Sequence, residues 1–286
     1  MPRRLRRGLA AVYALTARSP KPEEYVEIAP GLTVPRFVLD WSRSAPAEAA
    51  AILDRVRATV PLHGRSVLAV GRGAGHLGIE IARRGARHVV AADMAARLMA
   101  LAGLRLAEHP SDLPVEIRRF DDGLAYLGGQ LFDVVIASDA FRSYGVPRSS
   151  GLLEARVLDL ARRLERGGHM AVRFGPPWKA PNGGGVDSVL PWAHLMFPEE
   201  IIFDEFRRVR RGSTARAFED IGINRVTLAR FRAAMRATDL ECVSISTNVS
   251  ERRGPAVLRA LSRHPRLEEY LTLNVYGVWR RSERTA

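Results

Sequence analysis

The sequence predicts an α/β protein built on a mostly parallel sheet with helices on both faces. From about residue 61, short apolar runs alternate with segments of helical periodicity, which is the pattern of a parallel sheet. The first apolar run passes directly into a glycine-rich turn, and the second ends on an acid. With 286 residues, the chain is long enough to bury one large core.

The elements follow in a regular order. Seven strands are expected, near 66–70, 88–92, 115–120, 133–138, 168–174, 240–247 and 271–279. Helices are expected near 47–60, 76–84, 94–107, 152–165 and 227–237. The segment Pro20–Pro35 holds four prolines and is expected to be irregular.

The domain organisation follows from these elements. Residues 1–60 are predicted to form a basic N-terminal extension and a covering helix, and residues 61–286 the main domain. Between the fifth and sixth strands, about 175–223 is too long for a plain linker and carries aromatic side chains beside Gly183–Gly185. Such loops are often binding elements or lids, so we expect a mobile cap inserted there.

Composition limits the classes of function. The net charge is +13, yet Lys21 and Lys179 are the only lysines, so the excess of arginine indicates GC-rich coding rather than a nucleic-acid surface. Nucleic-acid binding stays an open alternative that is not favoured. The single Cys242 forms no internal disulfide, which favours a reducing cytoplasm. No run approaches the roughly 18 apolar residues of a transmembrane segment.

The N-terminal segment is strongly basic. Residues 1–21 contain five arginines and one lysine but no acid, and Leu5, Leu9, Val12 and Thr16 recur at helical spacing. This pattern fits a solvated or docked extension, an amphipathic helix in weak contact with a partner or membrane surface, or a signal sequence. The extension is favoured, because the apolar stretch Gly8–Ala17 is short and ends in a poor cleavage site.

The glycine turn is the most informative motif. Val67–Val70 runs into Gly71, Gly73 and Gly75, and a second strand ends at Asp93. Glycines let the backbone approach a ligand closely, the following helix presents unpaired N–H groups, and an acid there can accept two ribose hydroxyls. We therefore expect a site for an adenosyl cofactor.

The glycines fit two motif frames. Gly73, Gly75 and Gly78 match the dinucleotide fingerprint, and Asp93 lies 20 residues after Gly73, near the expected spacing. However, the strand stops directly before Gly71, and a dinucleotide frame that starts there places His76 where its third glycine should be. The Gly71 frame is that of S-adenosylmethionine-dependent methyltransferases.

Later motifs favour the second frame. Phe120–Asp122 ends the third strand, Phe132–Asp139 forms the fourth, Leu164–Arg173 the fifth with its preceding turn, and Leu271–Arg280 the last. Together with Val67–Gly75 they resemble a class I S-adenosylmethionine-dependent methyltransferase, closely over 62–175 and more loosely over 223–281. The resemblance implies a Rossmann-like, seven-stranded, mostly parallel sheet and S-adenosyl-L-methionine as cofactor.

The resemblance also implies roles for individual residues. The glycines pass under the methionine part of the cofactor, Asp93 holds the ribose, and Asp121, or else Asp122, bonds the adenine amino group. The predicted cofactor-binding residues are Gly71, Gly73, Gly75, Asp93, Met94, Asp121, Asp122 and Ser138. One departure concerns the acid usually found two residues before the first glycine, where this chain has Ala69.

Two residues are candidates for proton transfer. His194 lies within the expected cap, and Asp139 follows the fourth strand, so it should face the crevice at the carboxyl ends of the strands. Each has a structural alternative: His194 packs inside the cap, and Asp139 caps a helix. We expect methyl transfer to a small-molecule acceptor, more often oxygen than nitrogen.

Three other functions stay open. Ala69 fits a degenerate binding or regulatory protein on the same fold, the net charge fits an RNA methyltransferase, and the Gly73 frame fits a nicotinamide-dependent oxidoreductase. Ser138–Phe141 stands where enzymes that methylate amino groups of nucleic acids typically carry Asn or Asp before Pro-Pro-aromatic. This difference lowers the expectation of base methylation.

Overall fold

The computed structural model describes residues 3–16, 25–71, 75–93, 96–108, 112–119, 124, 127–141, 152–185, 188–210, 213–248 and 260–283. Within these ranges the α-helices are α1 (Arg3–Thr16), α2 (Arg36–Val56), α3 (His76–Arg83), α4 (Ala96–Ala107), α5 (Leu152–Arg162), α6 (Ala193–Met196), α7 (Glu199–Val209), α8 (Leu228–Arg236) and α9 (Pro265–Leu271), and Phe218–Ile221 form a 3₁₀-helix. None of these helices combines the length and the apolar character that a bilayer-spanning helix needs.

Seven strands form the central sheet. They are β3 (Ser66–Val70), β4 (His88–Asp93), β5 (Val115–Arg119), β6 (Phe132–Ser138), β7 (Leu164–Phe174), β8 (Leu240–Thr247) and β9 (Val275–Arg281). Their spatial order is β5-β4-β3-β6-β7-β9-β8, and β9 runs opposite to the other six strands. The usual dinucleotide-binding sheet has the strand order 3-2-1-4-5-6, so the inserted antiparallel strand distinguishes this fold from it.

Helices cover both faces of the sheet, as predicted. On one face, α2 and α3 pack against inward-facing residues of β3, β6 and β7. On the other face, α5 and α8 enclose a core that includes Phe132, Phe174, Phe231 and Trp279. α4 lies along β4 and β5. The central strands therefore lie between two apolar cores, one on each face of the sheet.

Within the segment expected to be irregular, the described residues 25–35 form a β-hairpin. β1 (Tyr25–Ala29) pairs antiparallel with β2 (Leu32–Pro35) through a turn at Pro30 and Gly31. Gly31 adopts φ +73, and its N–H donates to the Glu27 carboxylate at 2.8 Å. For the described residues 25–35 the prediction was wrong, because Pro30 lies at the turn and Pro35 at the strand end, where they interrupt no hydrogen-bonded pair. Pro20 and Pro22 lie outside the described residues.

Several predicted boundaries also shift. The helix expected at 47–60 is α2, which begins at Arg36, continues through Pro46 and ends at Val56. β7 begins at Leu164, four residues earlier than expected, because Leu164 pairs with Phe132 before a register shift at the Gly167–Gly168 bulge. The last strand begins at Val275, because residues up to Leu271 form α9, whose first turn is capped by His264 and carries Pro265. Proline at the first helical position favours this start.

The insertion between β7 and β8 has its own small core. Phe197, Ile201, Ile202, Phe203 and Phe218 are buried together, on α7 and on the segments that flank it. We call the described residues of 175–223 the cap. Its apolar core accounts for the many aromatic residues that the sequence concentrates there.

α1 docks on the cap. Tyr13 is 2% exposed, and its ring lies 5.0 Å from that of Phe197. Arg6 donates to Asp204 at 2.9 Å, and the Val189 N–H donates to the Thr16 carbonyl at 2.9 Å. One side of α1 is therefore docked on the cap, as the favoured interpretation of this segment expects. The division into residues 1–60 and 61–286 stays a prediction.

Asp133 ties β6 to the start of β3. Its carboxylate accepts hydrogen bonds from the backbone N–H of Ser66 at 2.8 Å, the Ser66 hydroxyl at 2.7 Å and Arg65 at 3.2 Å. Burial alone raises the pKa of Asp133, but the hydrogen bonds from Ser66 and Arg65 outweigh it, and the pKa lies below its ordinary value of 3.8. The charged carboxylate therefore stabilises the folded state.

Replacing this carboxylate tests the tie. We expect Asp133→Asn to lower the free energy of unfolding by about 1–3 kcal/mol at neutral pH, because charge-assisted hydrogen bonds are lost. Since the folded pKa is lowered, the difference from the wild type should persist down to pH 3.8 and shrink only below it. Urea unfolding across pH measures this, with the exposed Asp112→Asn as a control that should change little.

Candidate functional site

The glycine turn begins at the carboxyl end of β3, in the middle of the sheet. Gly71 adopts φ +84, and its N–H donates to the Ala92 carbonyl of β4 at 3.0 Å. A Cβ on Gly71 would lie 2.3 Å from the Ser138 carbonyl oxygen at the end of β6. Both the backbone conformation and the close approach therefore require glycine at this position.

The turn ends at a second required glycine. Gly75 adopts φ +81 and is the N-cap of α3, where no side chain caps the helix. A Cβ on Gly75 would lie 3.0 Å from the Ala102 Cβ of α4. The first turn of α3 is thus open to backbone approach, the arrangement in which helix N–H groups bind anionic or polar ligand atoms.

A third glycine has a packing role. A Cβ on Gly78 would lie 3.0 Å from the Ala91 Cβ, so this glycine lets α3 approach β4 closely. Ala69, Gly71, Gly75, Gly78 and Ala91 line a cavity of about 20 Å³ between β3, β4 and α4, together with Leu77, Ala92, Met99 and Ala102. Small residues thus form the floor beneath the turn.

The other cofactor residues predicted from the sequence are described to different extents. Asp93 is the last residue of β4, beside the end of β3, as the sequence predicts. Ser138 ends β6 and is fully buried. Gly73, Met94, Asp121 and Asp122 lie outside the described residues. The backbone positions of Gly71, Gly75, Asp93 and Ser138 thus share one edge of the sheet, while the roles assigned to them stay predictions.

Two polar atoms at this edge have no hydrogen-bond partner among the described residues. They are the Ser138 hydroxyl and Nε2 of His76, the first residue of α3. Burial, together with the charge of Arg105, lowers the pKa of His76 to about 4, so its imidazole is neutral at physiological pH. Buried polar atoms usually have partners, so both fit a place where a polar ligand binds.

Asp139 lies directly after β6 in a strained turn. It is 6% exposed, adopts φ +54, and its N–H donates to the Arg173 carbonyl at 2.8 Å. Its carboxylate forms an ion pair with the Arg173 guanidinium. Asp139 therefore lies at the carboxyl edge of the sheet, beside Ser138, where the sequence predicts it.

Arg173 joins four elements of the fold. Besides Asp139, its guanidinium contacts Glu48 of α2 at 3.2 Å and donates to the Tyr276 hydroxyl of β9 at 3.3 Å. Burial lowers the pKa of Arg173, but the charge of Asp139 with the contributions of Tyr276 and Glu48 outweighs it and raises the pKa above its ordinary value. Arg173 is thus a permanent cation in the wall of the crevice.

His194 lies inside the cap. It is 6% exposed, and its Nε2 lies 2.6 Å from the Trp178 carbonyl oxygen, so this nitrogen carries the proton and donates. Its ring packs edge-on against the Trp178 ring, with the two ring centroids 4.7 Å apart. Gly184 packs so closely against His194 that a Cβ on Gly184 would lie 2.4 Å from the His194 Cβ. The catalytic role of His194 stays a prediction, and this geometry favours the packing role.

Sequence reasoning missed Arg173, Glu48 and His76. Arg173 is a charged residue that interrupts the apolar run from Met170 to Phe174, which is the signal that could have identified it. Glu48 lies on α2, and nothing in its local sequence indicates contact with the sheet. His76 entered the sequence analysis only as the residue that breaks a dinucleotide frame.

Solved structures identify the fold. No protein-family model matches the sequence, and no curated protein sequence matches it. An S-adenosylmethionine-dependent methyltransferase from Mesorhizobium loti matches with a TM-score of 0.52 at 16% identity, over 80% of this chain and 96% of that one. The 4+2 cyclase SpnF matches with a TM-score of 0.50 at 16% identity, over 85% of this chain and 82% of that one.

Structures of many S-adenosylmethionine-dependent methyltransferases match over most of the chain. The chain therefore has the class I methyltransferase fold that its motifs predict. At such low identity the likeness concerns the fold alone. SpnF, a cyclase by name, has the same fold, and a fold by itself does not determine the chemistry.

The glycine turn gives a direct test of the site's geometry. We expect Gly71→Ala to lower the free energy of unfolding by about 2–4 kcal/mol, because it adds a left-handed strain of about 1–2 kcal/mol to an overlap with the Ser138 carbonyl. Gly64→Ala is the matched control: Gly64 adopts φ +71 with no atom within 4 Å of its Cβ position. Chemical unfolding of both variants measures the difference, and equal destabilisation contradicts the close approach.

Proposed function

We propose that this chain transfers a methyl group from S-adenosyl-L-methionine to the oxygen of a small-molecule acceptor. The observation that carries the proposal is the glycine turn at the middle of the sheet. There Gly71 and Gly75 hold positive φ beside the end of β4, in a fold shared with methyltransferases. Gly71 has no room for a side chain, and the first turn of α3 has no side-chain cap.

The residues present fit this cofactor. When bound, it supplies an activated methyl group on a sulfonium. The turn from Gly71 to Gly75 and the first N–H groups of α3 would hold its polar methionine end, and Asp93 would hold its ribose. The Ser138 hydroxyl and Nε2 of the neutral His76 ring, both buried without a described partner, supply further hydrogen-bonding atoms.

A carboxylate at the carboxyl edge of the sheet supports oxygen as the acceptor atom. A hydroxyl loses its proton on methylation, so a base beside the acceptor accelerates the reaction. Asp139 lies at the carboxyl end of β6, next to Ser138, and the Arg173 guanidinium fixes the position of its carboxylate. Of the two predicted bases, Asp139 is therefore the one that we place beside the acceptor.

The cap supports a small acceptor. It follows β7 directly at the carboxyl edge, and Asn224, the residue after the cap, donates to the carbonyl of Phe141, which follows β6, at 2.5 Å. Elements that cover a crevice exclude water and orient a bound acceptor. Orientation and exclusion of water are the contributions that this chain would make to the rate.

Cofactor binding decides the proposal. Calorimetry with S-adenosylhomocysteine should detect binding to the wild type, weakened at least about tenfold in Gly71→Ala because the turn is displaced. Gly64→Ala should bind as the wild type does, which controls for strain elsewhere.

The alternative functions predict different results when binding of S-adenosylhomocysteine, binding of NADH and methyl transfer to RNA are measured. No binding at millimolar S-adenosylhomocysteine would leave a degenerate binding protein, the alternative that Ala69 motivates. Tight binding of NADH without binding of S-adenosylhomocysteine would support a nicotinamide-dependent oxidoreductase, the alternative that the Gly73 frame motivates. Methyl transfer to RNA but to no small molecule would overturn the choice of acceptor.

Two substitutions separate the candidate bases. A panel of phenols, carboxylic acids and amines is offered as acceptors, and formation of S-adenosylhomocysteine measures turnover. We expect Asp139→Asn to lower kcat by about 10²–10⁴-fold while cofactor binding is kept. We expect His194→Ala to lower the free energy of unfolding by about 1–3 kcal/mol, because its hydrogen bond and ring contact are lost, with kcat nearly unchanged at low temperature. The reverse pattern would identify His194 as the base.

A further inference from the structure

The cap covers only part of the apolar surface of α1. Leu9, Ala10 and Tyr13 face the cap core. Leu5, Val12 and Leu15 are 54%, 52% and 86% exposed. These three residues are spaced seven and three apart, so they lie along one stripe of the helix. An exposed apolar stripe on a helix that is already docked indicates a second binding surface.

Basic side chains border this stripe. Arg4 and Arg7 are exposed and lie along the edge of the stripe that points away from the cap. Arg6, by contrast, points to the cap and pairs with Asp204. Residues 1–21 contain no acid, so no negative side chain of this segment neutralises the edge.

The apolar surface continues beyond the helix. Val189 of the cap is 56% exposed, and its N–H donates to the Thr16 carbonyl at the end of α1. The cap therefore contributes exposed apolar area next to Leu15. Because α1 and the cap share one core, a surface bound by α1 is held at a fixed orientation to the cap.

We propose that this face of α1 binds an anionic phospholipid surface. A helix with an apolar stripe beside a row of arginines lies in the membrane interface, with its apolar side chains among the acyl chains and its cations at the headgroups. Charge complementarity selects anionic lipid. Nucleic acid fits less well, because cation–phosphate contacts would leave the apolar stripe without a partner. The one aromatic residue of α1, Tyr13, on which a base of a single strand could stack, is buried in the cap. This proposal is independent of the proposed reaction.

Vesicle binding tests the proposal on the full chain. The protein is sedimented with vesicles of phosphatidylcholine alone and with vesicles that also contain phosphatidylglycerol. We expect binding only to the second kind, and binding should weaken as sodium chloride is raised. Absence of binding to the anionic vesicles, or equal binding to both kinds, overturns the proposal.

Matched variants locate the surface. We expect Val12→Ser with Leu15→Ser to lower the vesicle affinity about tenfold or more, and Arg4→Gln with Arg7→Gln to do the same. The controls are Leu104→Ser with Leu158→Ser, which are 38% and 37% exposed on α4 and α5, and Arg83→Gln with Arg236→Gln, exposed on α3 and α8. They should bind as the wild type does, and thermal melting should show all variants folded.

Two outcomes contradict the assignment. If the α1 variants bind vesicles as tightly as the controls do, α1 is not the contact surface. If the wild type binds RNA rather than vesicles, and only the arginine substitutions weaken that binding, the basic edge is a nucleic-acid surface and the lipid proposal is wrong.

Discussion

The charge of Arg173 is the constraint on which the carboxyl edge of the sheet depends. A guanidinium cannot lose its proton at physiological pH, so a buried one must be neutralised by nearby carboxylates. Asp139 and Glu48 supply that charge from the turn after β6 and from α2. The position of the covering helix, the strained conformation at Asp139 and the contact with Tyr276 of β9 are all consistent with this requirement.

The same constraint shapes the candidate site. The Asp139 carboxylate forms the ion pair with Arg173, and the Asp139 N–H donates to the Arg173 carbonyl. The carbonyl of the preceding residue, Ser138, lies close against Gly71. Strands β3, β6 and β7 therefore meet at their carboxyl ends with little freedom to separate. A rigid edge of this kind can position a reacting group, because the side chains on it have few alternative conformations.

The sequence predicts the sheet well because its signals are local. Apolar runs bounded by glycine locate β3 and β4 within a residue, and the positive φ of Gly71 and Gly75 is what a turn of alternating glycines requires. The hairpin at Tyr25–Pro35 was missed because its prolines were treated as breakers. The contact between Glu48 and Arg173 could not be predicted, since it depends on how α2 lies over the sheet.

His194 illustrates a second limit of sequence reasoning. A histidine in a long aromatic loop fits a base in a crevice as well as a packed core residue, because both need a polar ring near apolar groups. The structure encloses it between Trp178 and Gly184, and the Trp178 carbonyl fixes its tautomer. Only the burial of the cap core, which α1 completes through Tyr13, distinguishes the two.

Ala69 bears on the cofactor more than on the fold. It is 4% exposed, in the floor of small residues beneath the glycine turn, where the resemblance expects a carboxylate. A missing hydrogen bond of this kind costs about 1–3 kcal/mol when its partner is left buried, or roughly ten- to a hundredfold in affinity. The glycine turn and the first turn of α3, by contrast, depend on backbone shape, which Ala69 leaves unchanged. Under the proposed function, the chain therefore keeps the backbone geometry of the site but binds the methionine end of the cofactor more weakly. His76 and Ser138 are the polar residues placed to offset the missing hydrogen bond.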